Sequence, residues 1–102
     1  MTEFVTVAKC DTIQPGIGCN VKVSGRDYAV FNVGGTFYAL DGQCPHRGGP
    51  LGAGCIQGSR VYCPLHGWGF DLATGACLDQ PERPVKTYLT RAQDGEVQIC
   101  FL

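Results

Sequence analysis

The chain has 102 residues, the size of one domain with a single hydrophobic core. A formal net charge of −1 and a pI near 6.0 provide no basic surface, so we expect no nucleic-acid partner. No apolar run approaches the roughly 18 residues that span a bilayer, and the first residues are unlike a signal peptide. We therefore expect a cytoplasmic protein with no membrane partner.

Short runs of β-branched and aromatic residues alternate with turn residues along the chain, which predicts an all-β fold. The predicted strands are residues 4–8, 21–23, 28–33, 36–40, 60–62, 70–72, 85–90 and 96–101. Residues 34–35 and 94–95 predict two-residue hairpin turns, and residues 74–75 predict a third turn. No window has a helical period, so we expect at most a short helical turn.

Two cysteine–histidine pairs lie in glycine- and proline-rich loops in the middle of the chain. Cys44 and His46 are separated by one residue, and Cys63 and His66 by two. These are the only 2 histidines in the sequence. Because imidazole is a common metal ligand and thiolate is a strong soft one, the two pairs predict a metal site.

The order of the ligands within the two pairs bears on which metal is bound. Zinc fingers group like with like, two cysteines followed by two histidines. Here each loop contributes one thiolate and one imidazole, which suits a two-iron cluster with the thiolates on one iron and the imidazoles on the other. A zinc-stabilised binding module remains the alternative at this point.

The two loops, Cys-Pro-His-Arg-Gly at residues 44–48 and Cys-Pro-Leu-His-Gly-Trp at residues 63–68, resemble those of the Rieske [2Fe–2S] proteins. The resemblance extends to residues 48–52, 67–71 and 81–84. Chain length and the order of predicted strands also fit a complete Rieske domain, so the resemblance covers nearly the whole chain. It implies a single Rieske domain over residues 1–102. Its base, residues 1–42 and 79–102, is expected to be a small antiparallel β-barrel or sandwich, with a cluster-binding insertion at residues 43–78.

The same resemblance implies one [2Fe–2S] cluster per chain and assigns its ligands. Cys44 and Cys63 are expected to hold one iron, and His46 and His66 the other, with the imidazole edges serving as the electron port. Arg47 beside His46 is a candidate contact for an acidic partner. Since both histidines are expected to bind metal, no nucleophilic catalytic site of the chain's own is predicted.

Residues around the ligands are expected to tune the cluster. Four glycines could bring backbone N–H groups close to the sulfurs: Gly48, Gly49, Gly67 and Gly69. In the respiratory branch of the family two further cysteines form a disulfide, and Gly49 and Leu65 occupy those places here. Trp68 and Phe70 occupy the places of hydroxyl residues, so we predict a potential near the low end of the Rieske range, about −150 mV.

The remaining expectations concern the proline segment, the other cysteines and the function. Pro81 and Pro84 resemble the ends of a loop that covers the cluster. The other cysteines are expected to be reduced, buried, small hydrophobic residues: Cys10, Cys19, Cys55, Cys77 and Cys100.

The resemblance implies a ferredoxin that carries one electron at a time from a flavin-dependent reductase to a terminal oxygenase. The alternative is the small subunit of an NAD(P)H-dependent nitrite reductase, with that enzyme's large subunit as partner.

Overall fold

The computed structural model describes residues 4–45, 48–65 and 67–101, and its strands form two antiparallel sheets. In chain order the strands are β1 (Phe4–Lys9), β2 (Ile17–Val23), β3 (Arg26–Val33), β4 (Thr36–Asp41), β5 (Cys55–Gln57), β6 (Arg60–Tyr62), β7 (Gly69–Asp71), β8 (Thr87–Gln93) and β9 (Glu96–Cys100). Six of them form a curled sheet in the order β1-β9-β8-β4-β3-β2, and β5-β6-β7 form a three-stranded sheet. The predicted all-β class is confirmed.

Short helical turns and tight hairpins connect the strands. The two helical segments among the described residues are 3-10 turns, Cys10–Thr12 and Leu51–Ala53, in agreement with the prediction. Gly34 and Gly35 have φ of 60° and 94°, as a two-residue type I′ turn requires, and they join β3 to β4. The turns predicted at residues 94–95 and 74–75 are also present.

Several strand boundaries differ from those predicted by the sequence. β2 starts at Ile17 rather than at residue 21, because it pairs with β3 along its whole length. Residues 18 and 20 are Gly and Asn, which have low strand propensity, so tertiary pairing overrides the local signal there. β5 was not predicted, since its three residues are too few to show an alternating pattern.

The central strands β3 and β4 are covered on both faces. Val30 and Ala39 pack in a cluster with residues of β9, on one side of the six-stranded sheet. Phe31 and Leu40 pack on the other side, in a cluster that also contains Phe70 of the three-stranded sheet. The three-stranded sheet therefore shares a hydrophobic core with the six-stranded sheet. Among the described residues, no helix is long and apolar enough to cross a membrane.

All seven cysteines lie in the described ranges and are free thiols. Cys77 and Cys100 are buried as expected, and Cys10 and Cys19 are half-buried. Burial raises the pKa of the Cys19 thiol. The expectation of a buried thiol is wrong for Cys55, which is exposed. It lies at an outward position of β5, where Ile56 provides the more buried side chain.

Candidate metal centre

The first ligand loop is closed by two backbone hydrogen bonds around Cys44. The Cys44 N–H donates to the Gly49 carbonyl (2.8 Å), and the Gly48 N–H donates to the Cys44 carbonyl (2.7 Å). Gly48 has a φ of 70°, which is left-handed backbone that favours glycine. The Cys44 side chain is 1% exposed. The loop thus holds a thiol on its inner side, away from water.

The second ligand loop repeats this structure around Cys63. The Cys63 N–H donates to the Trp68 carbonyl (2.8 Å), and the Gly67 N–H donates to the Cys63 carbonyl (2.9 Å). Gly67 has a φ of 73°, and Cys63 is 4% exposed. The two loops therefore share one hydrogen-bonding pattern, with a positive-φ glycine at the same place. His46, Arg47 and His66 lie outside the described residues.

Gly49 brings the two loops into contact. A Cβ built on Gly49 would lie 2.7 Å from Sγ of Cys63 and 3.1 Å from Cγ of Leu65, so there is no room for a side chain in the present arrangement. Positions 49 and 65 therefore face each other across the two loops. Their closeness accords with the resemblance, which places the two halves of a disulfide at these positions in another branch.

The two loops are held at their far ends by different groups. After the first loop, the Gly52 N–H donates to Oδ1 of Asn20 on β2 (3.0 Å). After the second loop, the Gly69 N–H donates to Oδ2 of Asp79 (2.7 Å), and the Gly69 carbonyl accepts from the Leu78 N–H (2.8 Å). No sequence motif identifies Asn20 or Asp79, because both bonds depend on contacts between segments distant in the chain.

Two aromatic residues pack in or against the cluster that contains the thiols, and the proline segment is exposed. Phe70 is fully buried in the cluster that contains Cys44 and Cys63, whereas Trp68 is half-buried and packs against that cluster. Position 69 has no room for a side chain, since a Cβ on Gly69 would lie 2.8 Å from the Tyr62 ring. The proline segment, residues 81–84, is exposed and begins in a turn in which the Arg83 N–H donates to the Gln80 carbonyl (2.8 Å).

The donor set fits an iron–sulfur cluster. Cys44 and Cys63 lie in one apolar cluster, on two loops that touch through Gly49. Buried thiolates with backbone amides around them are the usual protein setting for iron and sulfide. When bound, such a cluster accepts and releases one electron.

Comparison with known proteins identifies the family. The Rieske [2Fe-2S] domain model matches residues 3–89 of the chain. The ferredoxin component of the naphthalene 1,2-dioxygenase/salicylate 5-hydroxylase systems of a Ralstonia species is 34% identical over 101 residues, covering 97% of this chain and 97% of that protein. With its two matching cysteine loops on a β-fold, the chain belongs to the Rieske [2Fe-2S] domain family.

Solved structures agree with this family. A chain in the complex of reduced oxygenase and oxidized ferredoxin in carbazole 1,9a-dioxygenase is similar with a TM-score of 0.85 at 30% identity, covering 95% of this chain and 92% of that one. A Mycobacterium tuberculosis protein assigned as the small subunit of an NADH-dependent nitrite reductase is similar with a TM-score of 0.91 at 25% identity, covering 100% and 97%. The cofactor is accordingly a Rieske-type [2Fe–2S] cluster, which decides against zinc, and the protein is an iron–sulfur electron-transfer protein.

Proposed function

We propose that the protein carries single electrons from a flavin-dependent reductase to a terminal oxygenase. The observation that carries this proposal is the match over nearly the whole of both chains to the ferredoxin component of an oxygenase system. The solved complex of an oxygenase with its ferredoxin supports the same kind of partner. In this proposal Cys44 and Cys63 hold one iron, and His46 and His66 hold the other.

The described residues support this ligand assignment in three ways. Cys44 and Cys63 are buried, so their thiols are kept from water. Their loops have the same hydrogen bonds, so each loop presents its cysteine from an equivalent backbone. Gly49 lets the first loop approach Sγ of Cys63 on the second loop, as a metal centre shared by the two loops requires. Neutral imidazoles at the second iron make the oxidised centre less negative than four thiolates would, which favours reduction.

The division of the chain into a base and an insertion is part of the proposal. Residues 43–78 would form the cluster-binding unit, because the three-stranded sheet and both cysteine loops fall within them. Residues 1–42 and 79–102 would form the base, because they contain every strand of the six-stranded sheet. Pro81 and Pro84 are exposed in the segment that leads back to the base, and we retain them as a cover over one side of the cluster.

We place the partner-docking surface on the cluster-binding unit, around two exposed leucines. Leu65 on the second ligand loop is 51% exposed, and Leu78 beside Gly69 is 44% exposed. Redox partners meet through small, short-lived interfaces, for which a few apolar side chains around the cofactor are sufficient. Arg47 would add a positive charge to this surface.

The docking surface is tested by comparing three leucines. Leu65→Ser and Leu78→Ser should each slow electron transfer to the oxygenase several-fold while leaving the midpoint potential unchanged. Leu89→Ser is the matched control, because Leu89 is 70% exposed but lies on β8 of the base. Stopped-flow reduction of the oxygenase by the pre-reduced protein measures the rates. Equal rates for all three variants would place docking elsewhere.

Reconstitution tests the function itself. The protein is mixed with NADH, a flavin-dependent reductase and a ring-hydroxylating oxygenase of the naphthalene dioxygenase type. Substrate-dependent NADH oxidation that requires the protein is expected. A system that turns over equally well without the protein would contradict the proposal.

The similarity to a nitrite reductase small subunit over the whole chain supports the alternative function. In that case the protein would bind a large sirohaem-containing subunit and would form part of an NAD(P)H-dependent nitrite reductase. Stable co-purification with such a subunit, and no stimulation of an oxygenase, would favour the alternative. Transient binding with oxygenase stimulation favours the carrier.

A further inference from the structure

One peptide group of the second ligand loop is hydrogen-bonded at both ends. The Trp68 carbonyl accepts from the Cys63 N–H (2.8 Å), and the N–H of the same peptide, on Gly69, donates to Oδ2 of Asp79 (2.7 Å). A continuous chain therefore runs from the Asp79 carboxylate through one peptide to the backbone of Cys63. Hydrogen bonds in such a chain polarise one another.

The first ligand loop has no counterpart to this chain. The Cys44 N–H donates to the Gly49 carbonyl in the same way, but the next residue is Pro50, which has no N–H to continue it. The support of that loop comes instead from the neutral side chain of Asn20, which bonds Gly52. Among the described residues, a charged side chain therefore bonds the peptide that follows Trp68, and Pro50 has no N–H for a corresponding bond after Gly49.

We propose that Asp79 is a positioning residue of the cluster site, and that its charge lowers the midpoint potential. This inference rests on the proposed role of Cys63 as a cluster ligand. The carboxylate fixes the Trp68–Gly69 peptide and so fixes the loop that carries Cys63. Its negative charge opposes the addition of an electron to the cluster. Because Asp79 is exposed, salt screens this effect.

Three variants separate position from charge. Asp79→Asn keeps an oxygen that can accept the Gly69 N–H but removes the charge. Asp79→Ala removes both. Glu82→Gln is the matched control, since it removes the same charge from an exposed residue three positions along the same segment. The midpoint potential is measured by redox titration of the holoprotein, and the exchange of the Gly69 amide hydrogen is measured by NMR on the protein with its cluster reduced or oxidised.

We expect Asp79→Asn to raise the midpoint potential, while the Gly69 amide hydrogen still exchanges slowly. The rise in potential should become smaller as the salt concentration increases. Asp79→Ala should raise the potential as well, speed up Gly69 exchange and shorten the lifetime of the bound cluster. Glu82→Gln should change the potential less than Asp79→Asn. Equal potentials in Asp79→Asn and Glu82→Gln, or rapid Gly69 exchange in the unmodified protein, would overturn the inference. Failure of the proposed ligand role of Cys63 is distinguishable, because Cys63→Ala would then retain the cluster.

Discussion

The two ligand loops have the same backbone structure but different supports. Each has a cysteine whose N–H and carbonyl are both bonded within the loop, and a positive-φ glycine at Gly48 or Gly67. Beyond the loops, however, the first is bonded to Asn20 of β2, and the second to Asp79. The first loop is therefore bonded to a strand of the six-stranded sheet, whereas the second is bonded to the segment that follows it.

This difference shows that one loop structure can form in two different surroundings. Glycine geometry sets the shape of each loop, and contacts outside the loop set its place and its electrostatic environment. At the residue five positions after the cysteine, Gly49 must be small because it faces Cys63, whereas Trp68 can be large and half-buried. The same substitution made in both loops therefore tests their shared backbone shape. A substitution at a residue that supports only one loop tests the difference between their surroundings.

The largest effect is expected from removing a thiolate. Cys44→Ala and Cys63→Ala should each abolish the bound cluster, because each loop supplies one buried thiol to it in the proposed ligand set. Iron content and the visible spectrum of the purified variant measure the loss. Cys55→Ala is the control, as Cys55 is exposed on β5, and it should keep full iron content. A full cluster in either loop variant would show that the ligands are assigned wrongly.

A smaller but still large effect is expected at Gly49. Its φ is not in the left-handed region, so alanine is compatible with the backbone, yet the added Cβ would lie 2.7 Å from Sγ of Cys63. Gly49→Ala should therefore displace this thiol and reduce iron content per chain. Trp68→Phe, at the equivalent place in the other loop, should reduce it less. Unchanged iron content in Gly49→Ala would mean that the loops do not need this close approach.

The shared backbone shape predicts equal effects at the two positive-φ glycines. Gly48→Ala and Gly67→Ala should each lower the free energy of unfolding by about 1–2 kcal/mol, because alanine is strained in left-handed backbone. Apart from its chain neighbours, a Cβ at either position would meet no atom of the described residues within 4 Å, so backbone strain is the expected cause of the loss. Gly16→Ala is the control, because Gly16 has a φ of 87° and similar open space. It should lower stability in the same way but leave the cluster spectrum unchanged. Clearly unequal losses at 48 and 67 would contradict the equivalence of the loops.

The smallest effect is expected at Asn20. Asn20→Ala leaves the Gly52 N–H without its partner, which costs about 1 kcal/mol of stability. Because Asn20 is neutral, the midpoint potential should not change, in contrast to Asp79. Chemical denaturation and redox titration of the same sample measure both quantities. A shift in potential as large as that of Asp79→Asn would remove the distinction between the two supports.

Local signals allowed the two cysteine loops to be singled out, because their cysteines and glycines lie within a few residues of one another, and the ligand set itself stays a prediction. The glycine-centred hairpin turn at residues 34–35 was predictable for the same reason, since its φ values need small residues. β5 and the early start of β2 were not, because pairing with a neighbouring strand determines them. Asp79 and Asn20 were missed because each acts on a loop through a contact absent from any local pattern.

Metal analysis combined with electron paramagnetic resonance of the reduced protein tests the central claim most directly. Two buried cysteines on matching loops, in a chain of the Rieske family, predict about two irons and two labile sulfides per chain. The purified protein should be red-brown, and its reduced signal should average below the free-electron g value. A colourless protein that contains one zinc per chain and no reducible signal would contradict the account.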